Sequence, residues 1–219
     1  MALNKDELRE LYRKRSEFYD FSANLYYLIG FREQAYRKKV VTALDLKRGD
    51  TVVEICCGTG LNFSLLQSAV GPEGKIIGVD LTAEMLDKAR ERVRRKGWTN
   101  VELVHGDAAK FSFPLKVDGI LSTFALTLVP EYDAVIRNGS LALAPGKRWV
   151  ILDFKSPSHR ASALFVSLLI FLTRPFGVRR DLVLRHPWES IEKYLGGVSI
   201  TELYFGVSYI AVGEKGDAS

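Results

Sequence analysis

Cysteine is scarce in this chain: there are two, Cys56 and Cys57, and they are neighbours. Successive residues of an extended strand face opposite sides, so a bridge between them is disfavoured and a disulfide framework is excluded. A reducing compartment, the cytoplasm, is expected. The 3 histidines are scattered and give no metal-ligand spacing, so no metal is expected. Long apolar runs are also missing. The most apolar stretch, Ala161–Leu172, has 12 residues. As a helix it would rise about 18 Å, against a hydrocarbon core of roughly 30 Å, which excludes a membrane-spanning helix there. The segment MALNKDELRELYRKR is too charged for a signal peptide. Neither sign of charge dominates: 31 Lys+Arg against 26 Asp+Glu leave +5. That excess is too small to indicate nucleic acid, and suits acidic substrates or an anionic lipid surface.

What is present is concentrated in Thr51–Asp80. A β-branched run, Thr51–Ile55, ends in the small-residue turn Cys57-Gly58-Thr59-Gly60. A helical pattern with Leu61, Leu65 and Leu66 follows, then the turn Gly71-Pro72-Glu73-Gly74 and a second strand, Lys75–Val79, closed by Asp80. Strand, glycine turn, helix, strand and acid make one βαβ unit of a nucleotide-binding fold. The glycines let a ligand approach bare backbone. Asp80, 20 residues after Gly60, is placed to accept both hydroxyls of a ribose. Glu54 lies inside the first strand, where a buried carboxylate needs a partner; a cationic ligand would supply one.

Glu54–Gly60, EICCGTG, resembles motif I of the class I S-adenosylmethionine-dependent methyltransferases. The dinucleotide fingerprint G-x-G-x-x-G is not met, since Leu61, Asn62 and Phe63 follow Gly60. The resemblance implies a Rossmann-like, doubly wound α/β fold: a seven-stranded, mostly parallel sheet with an antiparallel last strand, plus an N-terminal helical cap. It implies S-adenosylmethionine as cofactor, held by Glu54, Cys56, Gly58, Thr59 and Gly60. Leu81 and Met85 would sandwich the adenine, Asp107 would accept from its exocyclic amine with Ala108 also binding the cofactor, and Ser122 and Thr123 would meet the methionine part.

Residues 1–46 read as a helical cap and 47–219 as the methyltransferase domain, with an apolar helical insertion at about 158–186. In the cap, Arg32–Leu46 is amphipathic, with Ala35, Val40, Ala43 and Leu44 inward and Arg32, Arg37, Lys38 and Lys39 outward. Thr82 is expected to cap a helix running to about Lys96. Further strands are expected over Val101–His105, Val117–Leu121 and Arg148–Phe154. Helices are expected around Pro130–Leu143 and Pro187–Leu195, and a closing antiparallel pair over Val198–Tyr204 and Val207–Val212.

The text from Ala125 to Pro157 resembles the ubiquinone/menaquinone C-methyltransferase family, and in motif order the resemblance covers roughly Tyr19–Pro157. GTGLN is closer to phospholipid-type methyltransferases; the quinone enzymes carry an acid where Leu61 stands. Together with the apolar stretch and the arginines after it (Arg174, Arg179, Arg180, Arg185), this gives a main expectation of N-methylation of a phospholipid amine, such as phosphatidylethanolamine. Peripheral contact with the inner face of an anionic membrane goes with it. The alternatives are C-methylation of a quinone precursor, a soluble small-molecule acceptor, and a non-catalytic cofactor-binding protein. On the acceptor side lie Tyr19, Thr127, His159 and His186; Tyr19 is the catalytic candidate.

Overall fold

Each β-branched run becomes a strand of one sheet. The computed structural model describes residues 5–16, 30–155 and 185–217. The strands are β1 (Thr51–Ile55), β2 (Lys75–Asp80), β3 (Val101–His105), β4 (Val117–Thr123), β5 (Leu143–Phe154), β6 (Gly196–Leu203) and β7 (Ser208–Glu214), in the order 3-2-1-4-5-7-6. The first five run parallel, and β7 is antiparallel to both β5 and β6. This is the doubly wound, seven-stranded sheet with a reversed last strand expected above. After β1 the chain moves outward through β2 and β3, then returns to the other side of β1 at β4. The crevice at the carboxyl ends of β1 and β4 is therefore the topological switch point, where ligands of open α/β sheets bind.

Alternation along each strand sends side chains to two cores. Val53, Ile55, Ile77 and Trp149 face α5 (Tyr132–Ala142) and α6 (Pro187–Tyr194). Val52, Ile76, Leu121 and Val150 face the other layer: α2 (Glu33–Ala43), α3 (Phe63–Val70) and α4 (Ala83–Lys96). The remaining helix, α1 (Lys5–Arg15), lies against α4.

Several local expectations change. Leu61 belongs to the turn rather than the helix, because α3 begins at Phe63. β5 starts at Leu143, earlier than its β-branched run suggests. Thr82 stands at the N-cap of α4 but makes no side-chain cap bond; its backbone N–H donates to Asp80 Oδ1 at 2.9 Å instead. Arg37, read as outward, is only 6% exposed. The apolar stretch Ala161–Leu172, Tyr19, His159 and the arginines at 174, 179 and 180 lie outside the described residues. No helix among the described residues is long and apolar enough to cross a membrane.

The packing of α5 on the sheet depends on one glycine. A Cβ on Gly139 would overlap the Trp149 indole ring and come within 3.0 Å of Ile120 Cδ1. Trp149 is fully buried and cannot swing clear. Gly139→Ala is expected to destabilise the fold by roughly 1–3 kcal/mol, read in thermal unfolding as a Tm lower by about 4–10 °C.

Candidate functional site

A cleft opens at the switch point, lined by the turns after β1, β2, β3 and β4 and by α1. Its floor is the glycine turn. Gly58 and Gly60 take left-handed angles, φ 55° and 75°, and so does Cys56 at 56°. A Cβ at Gly58 would meet nothing within 4 Å, whereas one at Gly60 would lie 2.5 Å from the Phe63 ring. Gly58 thus bares its backbone to the cleft, while Gly60 lets the turn close over α3. Arg92 of α4 donates to Thr59 O at 2.9 Å and fixes the turn from below.

Asp80 stands at the tip of β2 and lines the cleft. Its Oδ2 accepts from Gly58 N at 2.8 Å and its Oδ1 from Thr82 N at 2.9 Å. Burial raises its pKa, against the pull of these N–H donors. The carboxylate joins the glycine turn to the start of α4 and keeps lone pairs for the hydroxyls of a ribose. Leu81, Met85, Gly106, Asp107 and Ala108 line the adjoining wall. Met85, 2% exposed, supplies apolar contact for a flat base. Cys56, Cys57, Thr59 and Thr123 also line the cleft. Ser122, its neighbour on β4, faces the opposite side of the strand and is fully buried.

Glu54 lies just beneath the floor, 1% exposed. Its Oε1 accepts from Asn62 Nδ2 at 2.7 Å, and its Oε2 has no hydrogen-bond partner. Burial pushes its pKa up to about 7, with the Asn62 bond and Arg37 opposing. Asn62 also donates to Thr123 Oγ1 at 2.9 Å and accepts from Arg37 Nη1 at 3.2 Å. Arg37 Nη1 reaches Thr123 Oγ1 at 2.6 Å, and Nε and Nη2 both reach Glu33 Oε1, at 2.8 and 2.7 Å. The result is a buried chain, Glu33–Arg37–Asn62–Glu54, closed through Thr123. Arg37 lines the cleft, and of its five N–H donors these bonds use four. The site therefore offers a cation with a donor to spare beside a carboxylate with a lone oxygen. That pairing suits the zwitterionic amino-acid end of S-adenosylmethionine, and the bare glycine turn and Asp80 suit its nucleoside; the residues fit the cofactor.

Arg37, Glu33 and Asn62 were missed by the sequence reading. An Arg four residues after a Glu in a helix is a visible pair, but on a strongly basic face it reads as solvated.

The adenine end carries a second surprise. Asp107 lines the cleft, as expected, but its Oδ1 accepts from Ala109 N at 3.0 Å and its Oδ2 is held by Lys5 Nζ at 2.7 Å. Lys5 also pairs with Glu131 at 2.8 Å. Burial alone would raise Asp107; Lys5 and the Ala109 N–H override it and lower its pKa. With Leu8, Arg9 and Tyr12 lining the same cleft, α1 walls one side of it and is tied at one end by this ion triad. Lys5 and Glu131 are partly exposed, so the two pairs together are worth about 1 kcal/mol. Lys5→Ala is expected to speed S-adenosylmethionine release about fivefold in stopped-flow displacement, and to flatten the dependence of that rate on salt.

An aromatic cluster backs the cleft at Phe124. Phe31 contacts Tyr36, Phe124, Phe154 and Tyr204, with ring centroids 5.1–5.8 Å apart. Phe124 faces the cleft next to Arg37, whose guanidinium lies 5.4 Å from its ring centroid. His186 stacks on Trp188 and pairs with Glu189. Thr127 is buried behind the cleft wall. No group of His, Cys, Asp and Glu among the described residues is arranged to hold a metal ion.

The comparisons point the same way as the geometry. The model of the ubiE/COQ5 methyltransferase family matches residues 1–172. The chain is similar to the demethylmenaquinone methyltransferase of Geobacillus stearothermophilus, 28% identical over 222 residues, covering 98% of this chain and 94% of that one. To that of Listeria innocua serovar 6a it is 30% identical over 224 residues, covering 98% and 93%. Among solved structures, it resembles a SAM-dependent methyltransferase from Aquifex aeolicus, with a TM-score of 0.60, 21% identity, and coverage of 82% and 89%. It also resembles geranyl diphosphate C-methyltransferase from Streptomyces coelicolor A3(2), with a TM-score of 0.64, 15% identity, and coverage of 84% and 79%. At these identities the structures speak for the fold.

Proposed function

The chain belongs to the ubiE/COQ5 methyltransferase family and is an S-adenosylmethionine-dependent methyltransferase; on that premise we propose that it methylates a ring carbon of a quinone precursor. The supporting observation is that relatives matching almost end to end are named for demethylmenaquinone. Phe124, which lines the cleft and is backed by Phe31 and Phe154, suits a flat ring, which stacks on such a face. The phospholipid-amine expectation drew on Leu61 in place of an acid, and it finds no support among these relatives.

When bound, S-adenosylmethionine supplies a methyl group activated by its cationic sulfur. The chain's own task is placement and exclusion of water. Arg37 would hold the carboxylate of the methionine end, Glu54 would act on the ammonium from beneath the floor, and Asp80 would hold the ribose. Phe124 and Leu128 would keep the acceptor ring against the methyl end, where the ring carbon would take the methyl as the S–CH3 bond breaks, leaving S-adenosylhomocysteine, and would lose its proton to solvent. A prenylated acceptor would bring the chain to a membrane surface, and exposed lysines and arginines would favour an anionic one.

The test supplies radiolabelled methyl donor with a short-chain demethylmenaquinol under reducing conditions. Label in the methylated quinone supports the proposal. Label confined to choline-type lipids from a mixed extract, or to water-soluble products, rejects it.

A further inference from the structure

One buried carboxylate lies outside the cofactor site. Asp153 stands near the end of β5, 2% exposed, and no cation forms a salt bridge with it among the described residues. A buried carboxylate without an ion partner is costly, so its hydrogen bonds show what it is kept for. Its Oδ1 accepts from Phe154 N at 2.9 Å, and its Oδ2 accepts from Thr127 N at 2.8 Å, 26 residues away. Thr127 is the middle residue of the short turn Leu126–Leu128, in the loop that follows β4.

That loop builds one wall of the cleft, the wall to which the proposed function assigns the acceptor. Phe124, Ala125, Leu128 and Val129 line the cleft, while Leu126 and Thr127 point into the protein. The backbone is strained at its start: Phe124 has φ 57°, a conformation that a bulky residue holds only where its surroundings impose it. β5 imposes it twice in succession, because Leu152 O accepts from Phe124 N at 2.6 Å and the next residue, Asp153, takes Thr127 N. From the other side, Arg185 Nη1 donates to Thr127 O at 2.9 Å. Both polar groups of the Thr127 peptide are thus held, one by an anion inside and one by a cation from the chain before α6.

We infer that Asp153, with Arg185, is a positioning residue for methyl transfer: it fixes the Phe124–Val129 wall so that the acceptor meets the methyl end of the cofactor, without touching either molecule. This rests on the proposed function for its acceptor, and on the observed hydrogen bonds for the clamp. A clamp of this kind acts on the acceptor and spares the cofactor, whereas a merely structural carboxylate would affect both. An amide in its place keeps one acceptor oxygen and brings an N–H that faces a donor.

The experiment compares Asp153→Asn and Arg185→Ala with the wild type, using short-chain demethylmenaquinol as acceptor. Asp153→Asn is expected to lower kcat/KM for the acceptor about 30-fold. The dissociation constant of S-adenosylhomocysteine should stay within twofold. Backbone amides of the 124–129 loop should exchange at least tenfold faster with deuterium, and those of the glycine turn at an unchanged rate. Arg185→Ala, at a half-buried position, should act in the same sense by about fivefold, and decides the matter if the Asn variant does not fold. Wild-type acceptor kinetics in both variants, or cofactor and acceptor affinity falling together, overturns the inference. If the wild-type enzyme labels some other acceptor, the proposed function fails, and the same variants measured on that acceptor still judge the clamp.

Discussion

Arg37→Ala is expected to weaken S-adenosylhomocysteine binding about 100-fold while leaving 5′-methylthioadenosine, which lacks the amino-acid end, within about threefold. The first figure follows from losing a charge-assisted contact to a carboxylate, worth roughly 1.5–3 kcal/mol. The contrast between ligands carries the test: a general loosening of the cleft would weaken both, since both share the ribose and adenine assigned to Asp80 and Met85. Stability falls as well. Glu33, 8% exposed, would be left buried with no cation on its Oε1, and Asn62 and Thr123 would each lose a donor. Stranding one partner of a buried pair costs roughly 3–5 kcal/mol. Arg37→Lys keeps the charge but cannot span Glu33 and Thr123 together. It is expected to recover most of the stability and only part of the affinity. Calorimetric titration with both ligands, alongside thermal unfolding, reads all of this. Equal weakening of the two ligands would remove Arg37 from the amino-acid end.

Why Arg37 escaped the sequence, when Asp80 did not, is a matter of distance along the chain. The strands, the glycine turn and the acids at strand tips announce themselves within one βαβ unit. There the spacing between Gly60 and Asp80 is set by a single helix and two turns. The register of β1 with β2 then brings Glu54 opposite Gly78 and leaves Asp80 at the crevice without further information. Arg37 is different. Its neighbours Lys38 and Lys39 are exposed, and its own burial follows from partners 25 and 86 positions away. Lys5 and Asp107 are separated by 102. Such contacts exist only once the sheet has formed, so helix periodicity cannot report them. Thr82 shows the reverse error. A hydroxyl at a helix start reads as its cap, yet the Thr82 hydroxyl caps no N–H of the helix, and the residue's own N–H goes to Asp80, two residues earlier. The acceptor is the least legible part: Leu61 after the glycine turn, the apolar stretch and the arginines after it point to a phospholipid amine, which the relatives do not support.

Glu54 is expected to make cofactor binding sensitive to pH, and the sign follows from its surroundings. Burial holds its pKa at about 7 in the folded protein, above its ordinary 4.5. Between those values the folded state keeps a proton that the unfolded chain has lost. Stability without cofactor therefore declines as pH rises from about 4.5 to 7, by up to ~3 kcal/mol. Binding runs the other way. An ammonium above the floor favours the ionised carboxylate, so affinity for S-adenosylhomocysteine should rise about fivefold between pH 5.5 and 7.5 and level off above that, with proton release in the acidic part of the range. Asp80 is also raised by burial and would impose a trend of its own. It faces the nucleoside, however, so 5′-methylthioadenosine reports its contribution separately. The difference between the two ligands belongs to the amino-acid end, and Glu54→Gln should abolish that difference while retaining the Asn62 contact through its amide oxygen. A pH trend that persists in Glu54→Gln, or that is identical for both ligands, would place the titrating group elsewhere in the cleft.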